Sequence, residues 1–172
     1  MITLSSPEED RLKKVFEQLD KDKCGFLSHD DLRLEFQTLK HEVSKQYIEE
    51  LIWEVDENQD GKINFEEFQI TYRRIRSDKL GLEPRKLYNL VWFMMMDDKS
   101  DGVVDVDEAM MLMFMQNGKN FDDGEVLRLF GVDPAARALE VSITKTITYS
   151  EFEGIVERQR RDRIAERSRN PE

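Results

Sequence analysis

Three times along the chain an acidic cluster ends in a glycine at its sixth residue: Asp20-Lys-Asp-Lys-Cys-Gly25, Asp56-Glu-Asn-Gln-Asp-Gly61 and Asp97-Asp-Lys-Ser-Asp-Gly102. No other feature constrains the fold as much, because each copy of a repeat is a supersecondary unit that must bury its apolar face against a neighbour. Helix-period apolar residues lead into each cluster: Leu12, Val15, Phe16 and Leu19, then Ile48, Leu51, Ile52 and Val55, then Trp92, Phe93 and Met96. Spacings of three and four put each set on one stripe of a helix. A second amphipathic stretch follows each cluster, through Leu32, Phe36 and Leu39, through Phe65, Phe68 and Tyr72, and from Met110 to Met115. The unit is therefore helix, glycine-centred acidic loop, helix.

A fourth copy is expected where Ile147-Thr-Tyr-Ser-Glu151-Phe152 matches Ile63-Asn-Phe-Glu-Glu67-Phe68. Its first helix would carry Val126, Leu129 and Phe130. The stretch from Asp133 to Glu151 is longer than the other loops and has no central glycine, so this loop is expanded. Between the second and third units, Gly81 and Pro84 disfavour a continuous helix. The predicted fold is all-α, with paired units in a lobe over 1–76, a hinge over 77–83, a second lobe over 84–157 and a basic helical tail over 158–172.

The second cluster carries the most specific chemistry. Counted from Asp56, its positions 1, 3, 5, 6, 7, 9 and 12 are Asp56, Asn58, Asp60, Gly61, Lys62, Asn64 and Glu67. Ca²⁺ is a hard cation that takes six to eight oxygens at roughly 2.3–2.6 Å. A short loop supplies them with alternating inward side chains, a sharp turn that needs glycine, one backbone carbonyl and a bidentate glutamate. Position 7 offers its carbonyl, so Lys62 is compatible there. Ile63 at position 8 suits a short strand by which two such loops pair. The set satisfies the whole signature D-x-[DN]-x-[DN]-G-x₅-E with helical flanks.

On these residues the chain resembles the EF-hand superfamily, in the four-hand layout of the calmodulin, troponin C and centrin families, over about residues 8–157. The resemblance implies two lobes of paired hands with short loop-to-loop β-bridges, Ca²⁺ binding, and capture of an amphipathic partner helix in an apolar groove.

Hand by hand the pattern is uneven. The first hand has Asp20, Asp22, Gly25 and Ser28 at positions 1, 3, 6 and 9. Its position 5 is Cys24, whose soft sulfur is a poor ligand for Ca²⁺. Its position 12 is Asp31, one methylene shorter than glutamate, which favours six-coordinate Mg²⁺ or no metal. The expectation is a structural hand that pairs with the second. The third hand has Asp97, Asp101, Gly102, Asp105 and Glu108 at positions 1, 5, 6, 9 and 12, but Lys99 at position 3. An ammonium facing the ion repels it and removes an oxygen, unless the long stem swings to solvent and water fills in. Weak binding is the expectation. The fourth hand keeps Glu151 with no ligand set ahead of it, and serves as the fold partner of the third.

Seven of the eight methionines are Met94, Met95, Met96, Met110, Met111, Met113 and Met115, with Trp92, Phe93 and Phe114 among them. Methionine is flexible and polarizable and lines adaptable binding surfaces. Consecutive methionines cover more than one helix face, so at least one points outward. A partner groove through Trp92, Met95, Met111 and Met115 is expected, against the plainer reading of core packing.

The net charge of −11 argues against a nucleic-acid partner. The tail from Arg158 to Arg169 reverses this locally, with six arginines against Asp162 and Glu166. It reads as a solvated helix or a contact for an acidic surface. No apolar run is long enough to span a membrane. The N-terminus lacks the order of a signal peptide, and the single Cys24 fits a reducing compartment. An intracellular, cytoplasmic or cytoskeletal location is expected, a cilium or flagellum included. No nucleophile triad, phosphate loop or dinucleotide fingerprint occurs, so no enzyme is expected. Two functions compete: a calcium-responsive adaptor that binds a partner helix, and a constitutive, light-chain-like subunit of a cytoskeletal or axonemal assembly, largely independent of calcium.

Overall fold

The ninth and twelfth residues of each loop also start the helix that follows. Ser28 and Asp31 form a reciprocal capping box, and so do Asn64 and Glu67. Each pair satisfies two backbone N–H groups that the first turn would otherwise leave bare. Local sequence therefore fixes where every loop ends before any packing is considered.

A computed structural model of the chain describes residues 3–78, 81–117, 123–132 and 145–169. In chain order the described elements are α1 (Ser6–Leu19), β1 (Phe26–Leu27), α2 (His29–Thr38), α3 (Lys45–Trp53), β2 (Ile63–Asn64), α4 (Phe65–Arg76), α5 (Lys86–Met96), β3 (Val103–Asp105), α6 (Val106–Asn117), α7 (Asp123–Leu129), β4 (Thr146–Thr148) and α8 (Tyr149–Arg169). The architecture is all-α, with two small antiparallel strand pairs, β1 with β2 and β3 with β4.

The chain divides into two compact units, Met1–Trp92 and Phe93–Glu172. In the first, Leu27 pairs with Ile63, position 8 against position 8 of loops one and two. Both side chains are fully buried between the helices. Phe16 of α1 meets Phe65 and Phe68 of α4 edge-on, each at 5.2 Å between centroids. Leu12, Leu19, Leu32, Phe36, Ile48 and Leu51 complete this core, on the stripes the sequence set out. Glu8 of α1 is buried, where its carboxylate accepts from Tyr72 Oη at 3.1 Å and pairs with Arg76 Nε at 3.0 Å. A buried carboxylate needs such partners to offset its lost hydration.

This unit reaches past the 77–83 segment, of which residues 79–80 lie outside the described set. Arg85 bonds Asp78 at 3.3 Å, Lys86 bonds Glu50 at 2.6 Å, and Tyr88 stacks on Tyr72 at 5.2 Å. The start of α5 is thus held by three side chains that apolar periodicity does not reveal.

In the second unit Val104 pairs with Ile147. Val104 is position 8 of the third loop, and Ile147 is position 8 of the fourth when counted back from Glu151. Phe93 packs edge-on to Tyr149 at 5.4 Å and lies 5.6 Å from Phe152. Val126, Leu129 and Phe130 are buried, as the reading of a fourth unit requires. The expanded part of the fourth loop, 133–144, lies outside the described residues. The last helix α8 runs unbroken from the capping pair Thr148 and Glu151 to Arg169, so the basic segment continues the final hand as an extended helix.

Candidate metal centre

The three glycine-centred loops share one backbone path. Position 4 is left-handed in each, with φ of 57° at Lys23, 61° at Gln59 and 55° at Ser100. Position 6 is left-handed too, at Gly25 (85°), Gly61 (79°) and Gly102 (81°). A side chain at position 6 would meet that strain, which is why glycine recurs there. Differences in chemistry among the loops therefore come from side chains rather than from the main chain.

In the second loop the Asp56 carboxylate accepts from Asp60 N–H at 3.2 Å and Gly61 N–H at 2.7 Å. Asn58 Oδ1 accepts from Asp60 N–H at 2.9 Å, and Asp60 Oδ1 accepts from Lys62 N–H at 3.0 Å. Glu67 turns back over the loop, so that Oε1 accepts from Asn58 N–H at 3.3 Å and Oε2 from Asn64 N–H at 3.0 Å. Both oxygens of its buried carboxylate are thus held against the loop backbone. Lys62 sends its ammonium out over the Phe26 ring, 5.7 Å from the centroid, and leaves its carbonyl at position 7. Among the described residues no cation pairs with Asp56, Asp60 or Glu67. The loop thus carries three carboxylates, an amide oxygen and a carbonyl, a donor set whose chemistry fits a hard divalent cation.

The first loop shows the consequences of two substitutions. Asp20 holds the N–H groups of Cys24 and Gly25 at 3.0 and 2.8 Å, and Asp22 holds Cys24 N–H at 3.1 Å. Asp31 reaches Lys21 N–H at 3.0 Å and Ser28 N–H at 2.8 Å. Glu67 and Glu108 contact position 3 at this point, whereas the shorter Asp31 contacts position 2. The ligand-bearing atoms of Asp20, Asp22 and Cys24 lie within 4.8 Å of one another. The hydrogen bond from the Cys24 thiol to Asp22 pushes that thiol up from its ordinary range. At neutral pH it is an S–H group, which offers Ca²⁺ no hard oxygen.

The third loop differs in one decisive respect. Asp97 holds the N–H groups of Asp101 and Gly102 at 3.1 and 2.8 Å, as Asp56 does in its loop. Glu108 Oε2 accepts from Asp105 N–H at 3.0 Å. Lys99, however, folds inward: its ammonium bonds the Asp105 carboxylate and lies 3.4 Å from Glu108 Oε1. Partial burial pulls Asp105 up, but the Lys99 ammonium and backbone N–H donors outweigh it and hold the carboxyl below its usual value. Burial pushes Asp97 up. The Lys99 ammonium thus stands beside the acids at positions 9 and 12 of this loop.

At the described end of the fourth loop, Glu151 Oε2 accepts from Thr148 N–H and Oγ1, each at 2.9 Å.

The expected groove residues are split. Met95 is 1% exposed, in the core of the second unit, and Trp92 is half-buried in the first. Three methionines in succession cannot share one fate on a helix, and Met95 follows the buried Val91 by one turn. On α6, Met111 and Phe114 are 55% and 57% exposed and Met115 is half-buried. Trp53, 78% exposed, was not singled out from the sequence. Its position off the Ile48, Leu51, Ile52 and Val55 stripe was the available signal.

A family profile described as the EF-hand domain pair matches residues 9–73, and one described as EF hand matches residues 90–113. Calhepatin of Lepidosiren paradoxus is 39% identical over 75 residues, which cover 44% of this chain and all of calhepatin. Calcium-binding protein CML19 of Arabidopsis thaliana is 26% identical over 125 residues, 72% of this chain and 71% of that protein. Mitochondrial substrate carrier family protein C of Dictyostelium discoideum is 27% identical over 130 residues, 75% of this chain, yet the match spans a quarter of the carrier's length. Repeated loops, position-8 strand pairs and these likenesses lead to one conclusion: the chain belongs to the EF-hand superfamily of calcium-binding proteins.

Proposed function

We propose that this protein is an EF-hand adaptor in which the second hand is the one competent Ca²⁺ site and an amphipathic helix of a larger protein is the partner. The observation that carries the reading is the uncompensated oxygen set of Asp56, Asn58, Asp60, the Lys62 carbonyl and Glu67. Bound Ca²⁺ supplies two positive charges against the three carboxylates of that set. Asp56 and Asp60 hold the loop turn, and Glu67 closes it from the start of α4, so the site couples the loop to the helix that packs on Phe16. No catalytic role is assigned to the remaining acids.

Calorimetric titration of the whole chain with Ca²⁺ is expected to show one event with Kd of about 10⁻⁷–10⁻⁵ M. Glu67→Gln is expected to abolish it. Glutamine can still close the capping box with Asn64, so helix content by circular dichroism stays unchanged. Four equivalent events, or an unaltered event in Glu67→Gln, would overturn the assignment.

The second reading, a constitutive subunit, is favoured by the third hand, whose acids are compensated by Lys99 rather than by metal. A helix could then dock on the exposed Met111 and Phe114 of α6 with little calcium dependence, and reach Met95 only if that unit opened. Retention of the partner by the whole chain in chelator supports this reading, and complete release with recovery on adding Ca²⁺ opposes it.

A further inference from the structure

We propose that Lys99 is the resident cation of the third hand: its tethered ammonium stands where the family places a metal, so this hand keeps a closed loop with no ion. Loop geometry alone would not show this, since the backbone of all three glycine-centred loops is alike. The third loop keeps the Asp97 bonds to the Asp101 and Gly102 amides and the Glu108 bond to the Asp105 amide. It also keeps its strand pair with the fourth loop, Val104 on Ile147. What is added is the ammonium that bridges Asp105 and Glu108, positions 9 and 12, the acids that close a loop of this kind.

A lysine could have done otherwise. Lys62, also within a loop, directs its ammonium out over an aromatic ring. Lys99 instead crosses its own loop, although more than half of its side chain is exposed and water is available to it. The cost of ordering that long chain is offset by the two carboxylates it meets, Asp105 and Glu108. A bound divalent ion would have to displace the ammonium, leave it close by, and accept a loop short of one oxygen at position 3. The hand is thereby set in the closed-loop form and insensitive to calcium by its own side chain.

The test uses the whole chain carrying Glu67→Gln, so that the second hand is silent, and Ca²⁺ alone as the probe. Calorimetry on this background is expected to show no binding event. Adding Lys99→Met, which keeps the stem and removes the charge, is expected to create one event, with affinity raised about tenfold or more by loss of the repulsion. The amide resonance of Gly102, and not that of Gly61, should shift on titration. In chelator, the Lys99→Met chain should unfold at a lower urea concentration than its parent, and Ca²⁺ should restore the midpoint. Lys99→Gln gives the same pattern if Met disturbs packing, and Lys99→Arg, which keeps a cation, is expected to stay blind to Ca²⁺. Two outcomes would overturn the proposal: Ca²⁺ shifting Gly102 in the chain that retains Lys99, or a chelator midpoint unmoved by Lys99→Met and Lys99→Gln. A Gly61 shift in the Glu67→Gln chain would instead count against the reading of the second hand.

Discussion

The second and third loops have the same backbone, the same turn glycine and the same glutamate at position 12, yet they present opposite electrostatics. In the second, Glu67 bonds the Asn58 and Asn64 N–H groups, with the one loop lysine turned out over Phe26. In the third, Glu108 faces an ammonium from within the loop. Position 3 is Asn58 in one and Lys99 in the other, and position 9 is Asn64 in one and in the other Asp105, the acid that Lys99 pairs with. On the proposal above, backbone shape makes a hand, and the side chain at position 3 decides whether the hand asks for a metal.

If that is correct, moving the lysine should move the property, and the transfer into the second loop has the largest expected effect. Asn58→Lys removes an oxygen ligand and places a positive charge about 4–6 Å from a divalent ion. A loss of about a hundredfold in Ca²⁺ affinity is expected by calorimetry. Retained binding would mean that the new lysine swings outward as Lys62 does, and the comparison would fail.

The reverse transfer is the next largest. Lys99→Asp removes the built-in cation and adds an oxygen at position 3. A second Ca²⁺ event should appear in the otherwise unaltered chain, stronger by about tenfold or more than any the parent shows there. No second event would place the defect in the fourth loop that pairs with the third, rather than in Lys99.

These outcomes bear on what the sequence can reveal. Hands one to three were legible because each loop's ligands lie within twelve residues and each cap lies three residues from its partner. The fourth hand was legible from its last six residues, and the pairing of Val104 with Ile147 follows from counting back from Glu151. The direction Lys99 takes was not legible. Solvent and loop are both within reach of a lysine stem, and the choice depends on how close Asp105 and Glu108 come in space. Nor was the fate of Met95, since Met94, Met95 and Met96 offer no period to read. The ties of Arg85, Lys86 and Tyr88 to Asp78, Glu50 and Tyr72 escape periodicity altogether, being two ion pairs and a ring stack.

The smallest expected effect separates a ligand from a cap. Position 9 caps the helix in both hands, Asn64 Oδ1 accepting from Glu67 N–H at 3.0 Å and Thr148 Oγ1 from Glu151 N–H at 3.4 Å, and under the proposed function only Asn64 would also belong to a metal loop. Loss of a cap costs about 0.5–2 kcal/mol. Asn64→Ala should therefore destabilise the chain by about 1 kcal/mol in chelator, and by more in saturating Ca²⁺, because alanine also removes a group that faces the ion. Thr148→Ala has the longer bond to lose and no metal role, so about 0.5 kcal/mol is expected, the same with and without Ca²⁺. Urea unfolding of each variant in both conditions reads the two differences. A calcium-dependent cost for Thr148→Ala would mean that the fourth hand takes part in metal binding after all, and that the second hand does not stand alone.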